Sequence, residues 1–153
     1  MSELPLAQTV HRGGASESLD AVVLDYEGRF LRRKRLVTTG GAAFVVDLEH
    51  TTSLDDGDAL ELSDGTRVAV QAAAEDVLEV RGPLARLAWH IGNRHAPCAV
   101  LSDALLVQRE KVMRAMLEQL GATVTDIDAP FTPEGGAYGH GRTMGHDHSH
   151  SHA

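Results

Sequence analysis

The hydrophobic rhythm of this 153-residue chain changes once, near residue 75, and that change constrains the fold more than any single residue does. From Ala21 onward the apolar residues come in short, often β-branched runs: Ala21-Val-Val-Leu-Asp-Tyr26, Ala43-Phe-Val-Val-Asp-Leu-Glu49, Ala59-Leu-Glu-Leu62 and Thr66-Arg-Val-Ala-Val-Gln71. Glu27-Gly28, Gly40-Gly41, Leu54-Asp-Asp-Gly57 and Asp64-Gly65 break them. Runs of this length and composition, divided by Gly and Asp, are strands, and an Asp-Gly pair between two of them is a hairpin signal. The first half therefore reads as all-β.

Beyond it the period lengthens. Asp76-Val-Leu-Glu-Val-Arg81 is a strand, and Gly82-Pro83 opens a helix with proline in its first turn. Leu84, Leu87, Ala88 and Ile91 follow at i, i+3, i+4 and i+7, one buried face, and Gly92-Asn93 is the stop signal. Two short apolar runs, Pro97–Leu101 and Ala104–Val107, flank Ser102-Asp103. A second helix carries Met113, Met116, Leu117 and Leu120 on one face and closes at Gly121, before a last strand over Ala122–Ile127. The order β-α-β-β-α-β is that of a ferredoxin-like domain. The expected class is α+β in three parts: a β-rich domain over 1–74, a ferredoxin-like domain over 75–130, and a disordered, His-rich tail over 131–153. The boundary between the domains is expected near Ala73 to Glu75.

Charge narrows the partners. Asp and Glu number 22 against 14 Lys and Arg, a formal charge of -8, which repels phosphate backbones and attracts cations. Nucleic acid is disfavoured. The N-terminus lacks the basic start and apolar run of a secretory signal, and no apolar stretch approaches the roughly 18 residues of a membrane span, so the expected compartment is the cytoplasm. One cysteine, Cys98, excludes an intrachain disulfide and any C-x-x-C motif, so metal chemistry here would rest on nitrogen and oxygen ligands.

Of nine histidines, five (His140, His146, His148, His150 and His152) fall in the final fourteen positions. Neutral imidazole suits nickel, copper and zinc, and the i, i+2 spacing of the last four lets several rings share one ion, with Asp147 as an anionic option. An expression tag is normally an unbroken run, whereas this tract alternates with Ser and Asp. Sites on such a chain are numerous, similar and exchangeable, because ordering it costs entropy. His90 and His95 are no same-helix pair, since five residues turn a helix by roughly 140°. His95 is expected on an exposed turn as a lone imidazole, a weak ligand unless two copies of the chain present it to one ion across a two-fold axis. On spacing alone a surface or capping histidine is the better reading.

His90-Ile-Gly-Asn-Arg-His95-Ala-Pro97 resembles the signature of the UreE family of urease accessory nickel chaperones. The resemblance extends over nearly the whole chain: Leu36-Val-Thr-Thr and Leu54-Asp-Asp-Gly-Asp-Ala-Leu60 look like the family's N-terminal domain, Met116-Leu-Glu-Gln-Leu-Gly121 like its second helix, and Pro133-Glu-Gly-Gly-Ala-Tyr138 like the run before its histidine tail. It implies a peptide-binding-like first domain, a ferredoxin-like second domain, and Ni(II) held by His95 across a homodimer interface. It also implies delivery of that ion to apo-urease, with the urease accessory GTPase (UreG) in the receiving complex. One departure stands out, because some members carry further histidines where this chain has Arg109-Glu-Lys111. The tail histidines must then supply the extra ligands. An N/O site takes Zn(II) or Cu(II) as well, copper the most tightly, so the choice of nickel comes from the resemblance alone.

No H-E-x-x-H, G-x-S-x-G or Walker A motif is present, so no enzyme is expected. The alternatives are a nickel or zinc store with no client and a peptide-binding module with an incidental tail. Among weaker candidates, Arg29–Arg35, with five of the fourteen basic residues, reads as a solvated strand face, Asp55–Asp58 as a turn, Cys98 as a packed small hydrophobe, and His11 and His50 as ordinary surface residues.

Overall fold

The computed structural model describes residues 3–135, and the chain divides into two compact units between Ala73 and Ala74. The first contains β1 (Leu6–His11), β2 (Asp20–Leu24), β3 (Phe30–Val37), β4 (Ala43–Ser53), β5 (Ala59–Leu62) and β6 (Arg67–Ala72). They form one sheet in the order β2-β6-β5-β1-β4-β3. β5 and β6 pair antiparallel through the Asp64-Gly65 turn, where Gly65 takes φ +89°, while β1 lies parallel to β4 and β2 parallel to β6. β1 falls outside the runs expected from sequence, because only Ala7 of its six residues is fully buried. A central strand with a small inward residue and no apolar alternation has little signature.

The sheet curls until its edges approach. Thr39 N–H donates to the Ala21 carbonyl (2.8 Å), and the Asp20 carboxylate accepts from Gly40 N–H and the Thr39 hydroxyl, both at 3.1 Å. These bonds hold the loop after β3 against the start of β2. Inside lie Val22, Leu36, Phe44, Val46, Leu60 and Val70, each fully or almost fully buried. The larger of these side chains stabilise the unit by about 1.5–3 kcal/mol each.

The basic run is not one solvated face. Arg29 is 2% exposed, donates to the carbonyls of Leu54 (3.2 Å) and Leu24 (2.9 Å), and lies 5.9 Å from the Tyr26 ring centroid. Arg32 to Arg35 are exposed on the edge strand β3. The Asp55–Asp58 segment is a turn whose carboxylates are structural. Asp58, 3% exposed, accepts from Arg12 Nη1 (2.7 Å), Gly13 N–H (3.0 Å) and Asp55 N–H (2.8 Å). His11 is half-buried rather than a plain surface residue, because the fold brings Glu61 Oε1 to 2.6 Å from its Nε2.

The second unit runs β7 (Ala74–Arg81), α1 (Leu84–Asn93), β8 (Cys98–Val100), β9 (Leu105–Gln108), α2 (Lys111–Gln119) and β10 (Thr123–Pro130). Its four strands pair antiparallel in the order β10-β7-β9-β8. Leu78 and Val80 of β7 and Leu105 and Val107 of β9 present one face to Leu87 and Ile91 of α1 and to Met113 and Leu117 of α2, which makes a single core under two helices. The spacing that marked both helices in the sequence is the spacing of these contacts. Among the described residues no helix is long and apolar enough to cross a membrane.

Candidate metal centre

The apolar face of α1 ends at Ile91, and the chain then has to leave the helix while keeping its last carbonyls bonded. It does so with a paired closure. His95 N–H donates to the Gly92 carbonyl (2.9 Å) and Ala96 N–H to the Ile91 carbonyl (3.3 Å), while Ala96 settles against the core that holds Ile91. This is the Schellman arrangement, in which the first of the two donors, the residue just past the helix cap, must adopt a left-handed backbone. That residue is His95, at φ +59°, the one non-glycine with positive φ among the described residues. Gly92 and Asn93, the expected stop, are still helical.

α2 ends by the same closure with the usual residue in place. Gly121, at φ +92°, donates to the Glu118 carbonyl (3.0 Å), and Ala122 N–H to the Leu117 carbonyl (3.0 Å). For an L-residue the left-handed conformation costs roughly 1–2 kcal/mol, which glycine avoids. His95 therefore occupies a glycine position at a cost in stability. Its side chain is exposed, and the imidazole makes no hydrogen bond among the described residues.

The neighbours define what donors accompany it. His90 is half-buried in the last turn of α1, edge-on to Trp89 with ring centroids 5.0 Å apart. The Cys98 thiol is pushed up to about 11, first by burial and then by the negative charge of Glu134, so at neutral pH the free thiol stays protonated. It is partly buried against the core, as a small hydrophobe would be. The Arg109-Glu-Lys111 segment is committed to structure. Glu110 caps α2 by accepting from Val112 N–H (2.7 Å) and Met113 N–H (3.0 Å), and Arg109 donates to the Ile127 carbonyl (2.9 Å).

Past β10 the chain turns back along the same end of the unit: Phe131 is fully buried, and Glu134 N–H donates to the Cys98 carbonyl at 2.9 Å. The segment leading into the tail is thus fixed to the residue three places after His95. His140, His146, His148, His150 and His152 lie outside the described residues. Among the described residues no three His, Cys, Asp or Glu side chains gather as a metal-holding group. One chain offers His95 as an isolated, outward-facing nitrogen donor.

Comparison with known proteins defines first a class, the accessory proteins of urease. Residues 4–73 match the family model described as UreE urease accessory protein, N-terminal domain, and residues 75–153 match the model of its C-terminal domain. The chain belongs to the UreE family, a family of accessory chaperones. It is 57% identical over 148 residues to the urease accessory protein UreE of Ruegeria pomeroyi, covering 95% of this chain and 99% of that one. It is 53% identical to the Cereibacter sphaeroides protein of the same name, over 97% of this chain and 82% of that one. With the Paracoccus denitrificans protein of that name it shares 57% identity, over 92% of this chain and 90% of that one.

Proposed function

We propose that this chain is a cytoplasmic nickel carrier, not an enzyme, which binds Ni(II) and delivers it to apo-urease during assembly of the metal centre. The observation that carries the reading is the seat of His95. A fold that closes α2 with glycine closes α1 with an exposed histidine in the same strained position, and a cost of this kind is retained where the side chain has a task. In this reading two chains form a homodimer that presents both copies of His95 to one ion. The ion is cargo, so a site with few ligands and open positions suits transfer better than a closed cage.

The tail histidines, His140, His146, His148, His150 and His152, collect further ions and complete the site. Support for this comes from the Glu134 to Cys98 bond, which roots the tail beside the His95 turn. The five residue steps from Gly135 to His140 span up to about 17 Å when extended. In the second unit, the strand order β10-β7-β9-β8 is what a ferredoxin-like arrangement of β-α-β-β-α-β elements would have. The receiving partners are the urease accessory GTPase and the apo-urease complex. Zn(II) and Cu(II) would bind the same donors in vitro.

Calorimetric titration with Ni(II) of the full chain, of a chain ended at Tyr138 and of His95→Ala tests this. About one tight ion per dimer should survive truncation and be lost in His95→Ala, while weaker ions go with the tail. Stoichiometry residing wholly in the tail would mean storage instead. Affinity should fall in acid, since protonated imidazole does not coordinate.

A further inference from the structure

A divalent ion held by two imidazoles alone keeps its double charge uncompensated, and nitrogen sites for such ions commonly add a carboxylate oxygen. The side chains around the His95 turn differ in what they are free to offer. His90 is half-buried edge-on to Trp89, and Cys98 packs against the core. Glu134 is exposed, and its carboxylate makes no hydrogen bond or ion pair among the described residues. Its backbone is nonetheless fixed. Phe131, three places earlier, is fully buried, and Glu134 N–H donates to the Cys98 carbonyl (2.9 Å). The negative charge acts on the Cys98 side chain, so the carboxylate stands at the same end of the unit as the His95 turn.

The three residue steps from His95 to Cys98 span at most about 10 Å of extended chain, and a hydrogen-bonded neighbour lies about 5 Å further across. The backbones of His95 and Glu134 are therefore within about 15 Å, a span that an imidazole and a carboxylate reaching toward one ion close between them. We propose that Glu134 is an oxygen ligand of the ion held by His95, so that two chains present two imidazoles and two carboxylates to it. This assignment rests on the reading of His95 given above, and it supplies the ligands for a tight ion that does not need the tail, because Glu134 precedes Tyr138. The two carboxylates match the two charges of the ion. A side chain fixed only through its backbone keeps its own rotamers, so it can close on the ion at capture and swing away at transfer.

The test is calorimetric titration with Ni(II) of the full-length chain in which His140, His146, His148, His150 and His152 are replaced by Asn, which silences the tail. Glu134→Gln in that background keeps the shape of the side chain and the backbone bond to Cys98 but removes the anionic donor. It should weaken the tight ion by about tenfold or more, since even groups that only support a metal ligand cost about tenfold when removed. The loss should persist at about 1 M salt, where a purely long-range charge effect is screened within about 3 Å. Glu134→His puts a nitrogen donor in the same place and should recover most of the affinity, which a structural role for the carboxylate would not allow. Unchanged affinity in Glu134→Gln, a loss that vanishes in high salt, or no recovery in Glu134→His would each overturn the proposal. His95→Ala in the same background separates it from the reading it rests on. If His95→Ala loses the tight ion and Glu134→Gln keeps it, only the role of Glu134 falls; if His95→Ala keeps it, both fall.

Discussion

A histidine with a left-handed backbone at a helix end sets stability against the proposed task of its side chain, and two substitutions separate the two. His95→Gly relieves the backbone and should raise the stability of the second unit by about 0.5–1 kcal/mol, the strain removed less the extra freedom glycine has when unfolded. His95→Ala keeps the strain and should leave stability within about 0.5 kcal/mol of the original. Urea unfolding measures both, and both should lose the tight nickel ion in the reading proposed above. If His95→Gly were no more stable than His95→Ala, the strain argument would fail. Cys98 gives a second residue-scale prediction. Burial holds its folded pKa at about 11, above the 9.0 of an ordinary thiol, so near pH 8 the native thiolate fraction is about 100-fold lower than that of an unfolded thiol. Alkylation by iodoacetamide should be slowed by about that factor. A raised thiol pKa means that the folded state holds its proton longer than the unfolded state. Its stabilising contribution is therefore present below pH 9 and lost as pH rises from 9 to 11.

Among the elements, the edges and caps are where single changes tell most. β3 is an edge strand, and its Lys34 pairs in register with Val46, a fully buried residue of β4, so the lysine stands on the core-facing side with its head in solvent. A cation in that place discourages another strand from adding to the edge. Lys34→Val should therefore increase self-association, read by sedimentation at rising concentration, with little effect on the fold of the monomer. Gly121→Ala, at φ +92°, should destabilise the second unit by about 1 kcal/mol. The same closures show what the sequence could disclose. Both helices were legible because their apolar faces recur at helical spacing. The left-handed seat was not, since Gly92-Asn93 looks like the better stop; the choice is made by where Ala96 must land to cover Ile91, which is a tertiary requirement. β1 and the burial of Arg29 were missed for a similar reason: each depends on partners that only the fold brings into place, Val45 and Leu62 for the strand and, for the guanidinium, the Leu24 and above all the distant Leu54 carbonyl. Of the candidate site, the tail announced itself by composition and His95 only through resemblance, because one exposed imidazole has no pattern of its own.

At the scale of the whole molecule there are two separate cores, one inside the curled sheet of the first unit and one between sheet and helices in the second. Each can be destabilised by a residue the other does not contain. Asp58→Ala removes a buried carboxylate that holds Arg12, Gly13 and Asp55 together, and should cost the first unit about 3 kcal/mol. Leu117→Ala opens the second core and should cost about 2–5 kcal/mol. Scanning calorimetry of the full chain should then show two transitions, one lowered by Asp58→Ala and the other by Leu117→Ala. Nickel adds a third perturbation that rests on the proposed site. A ligand that binds only the folded second unit stabilises it by about 2.7 kcal/mol at a free concentration of 100 times Kd. Ni(II) should therefore raise the transition that Leu117→Ala lowers and leave the other in place, in the chain ended at Tyr138 as well as in the full one. With His95→Ala in the shortened chain, neither transition should move. A single transition lowered by both core substitutions would show that the units unfold as one. Two transitions both raised by nickel would place metal binding in the first unit as well, where His11 and Glu61 already stand together.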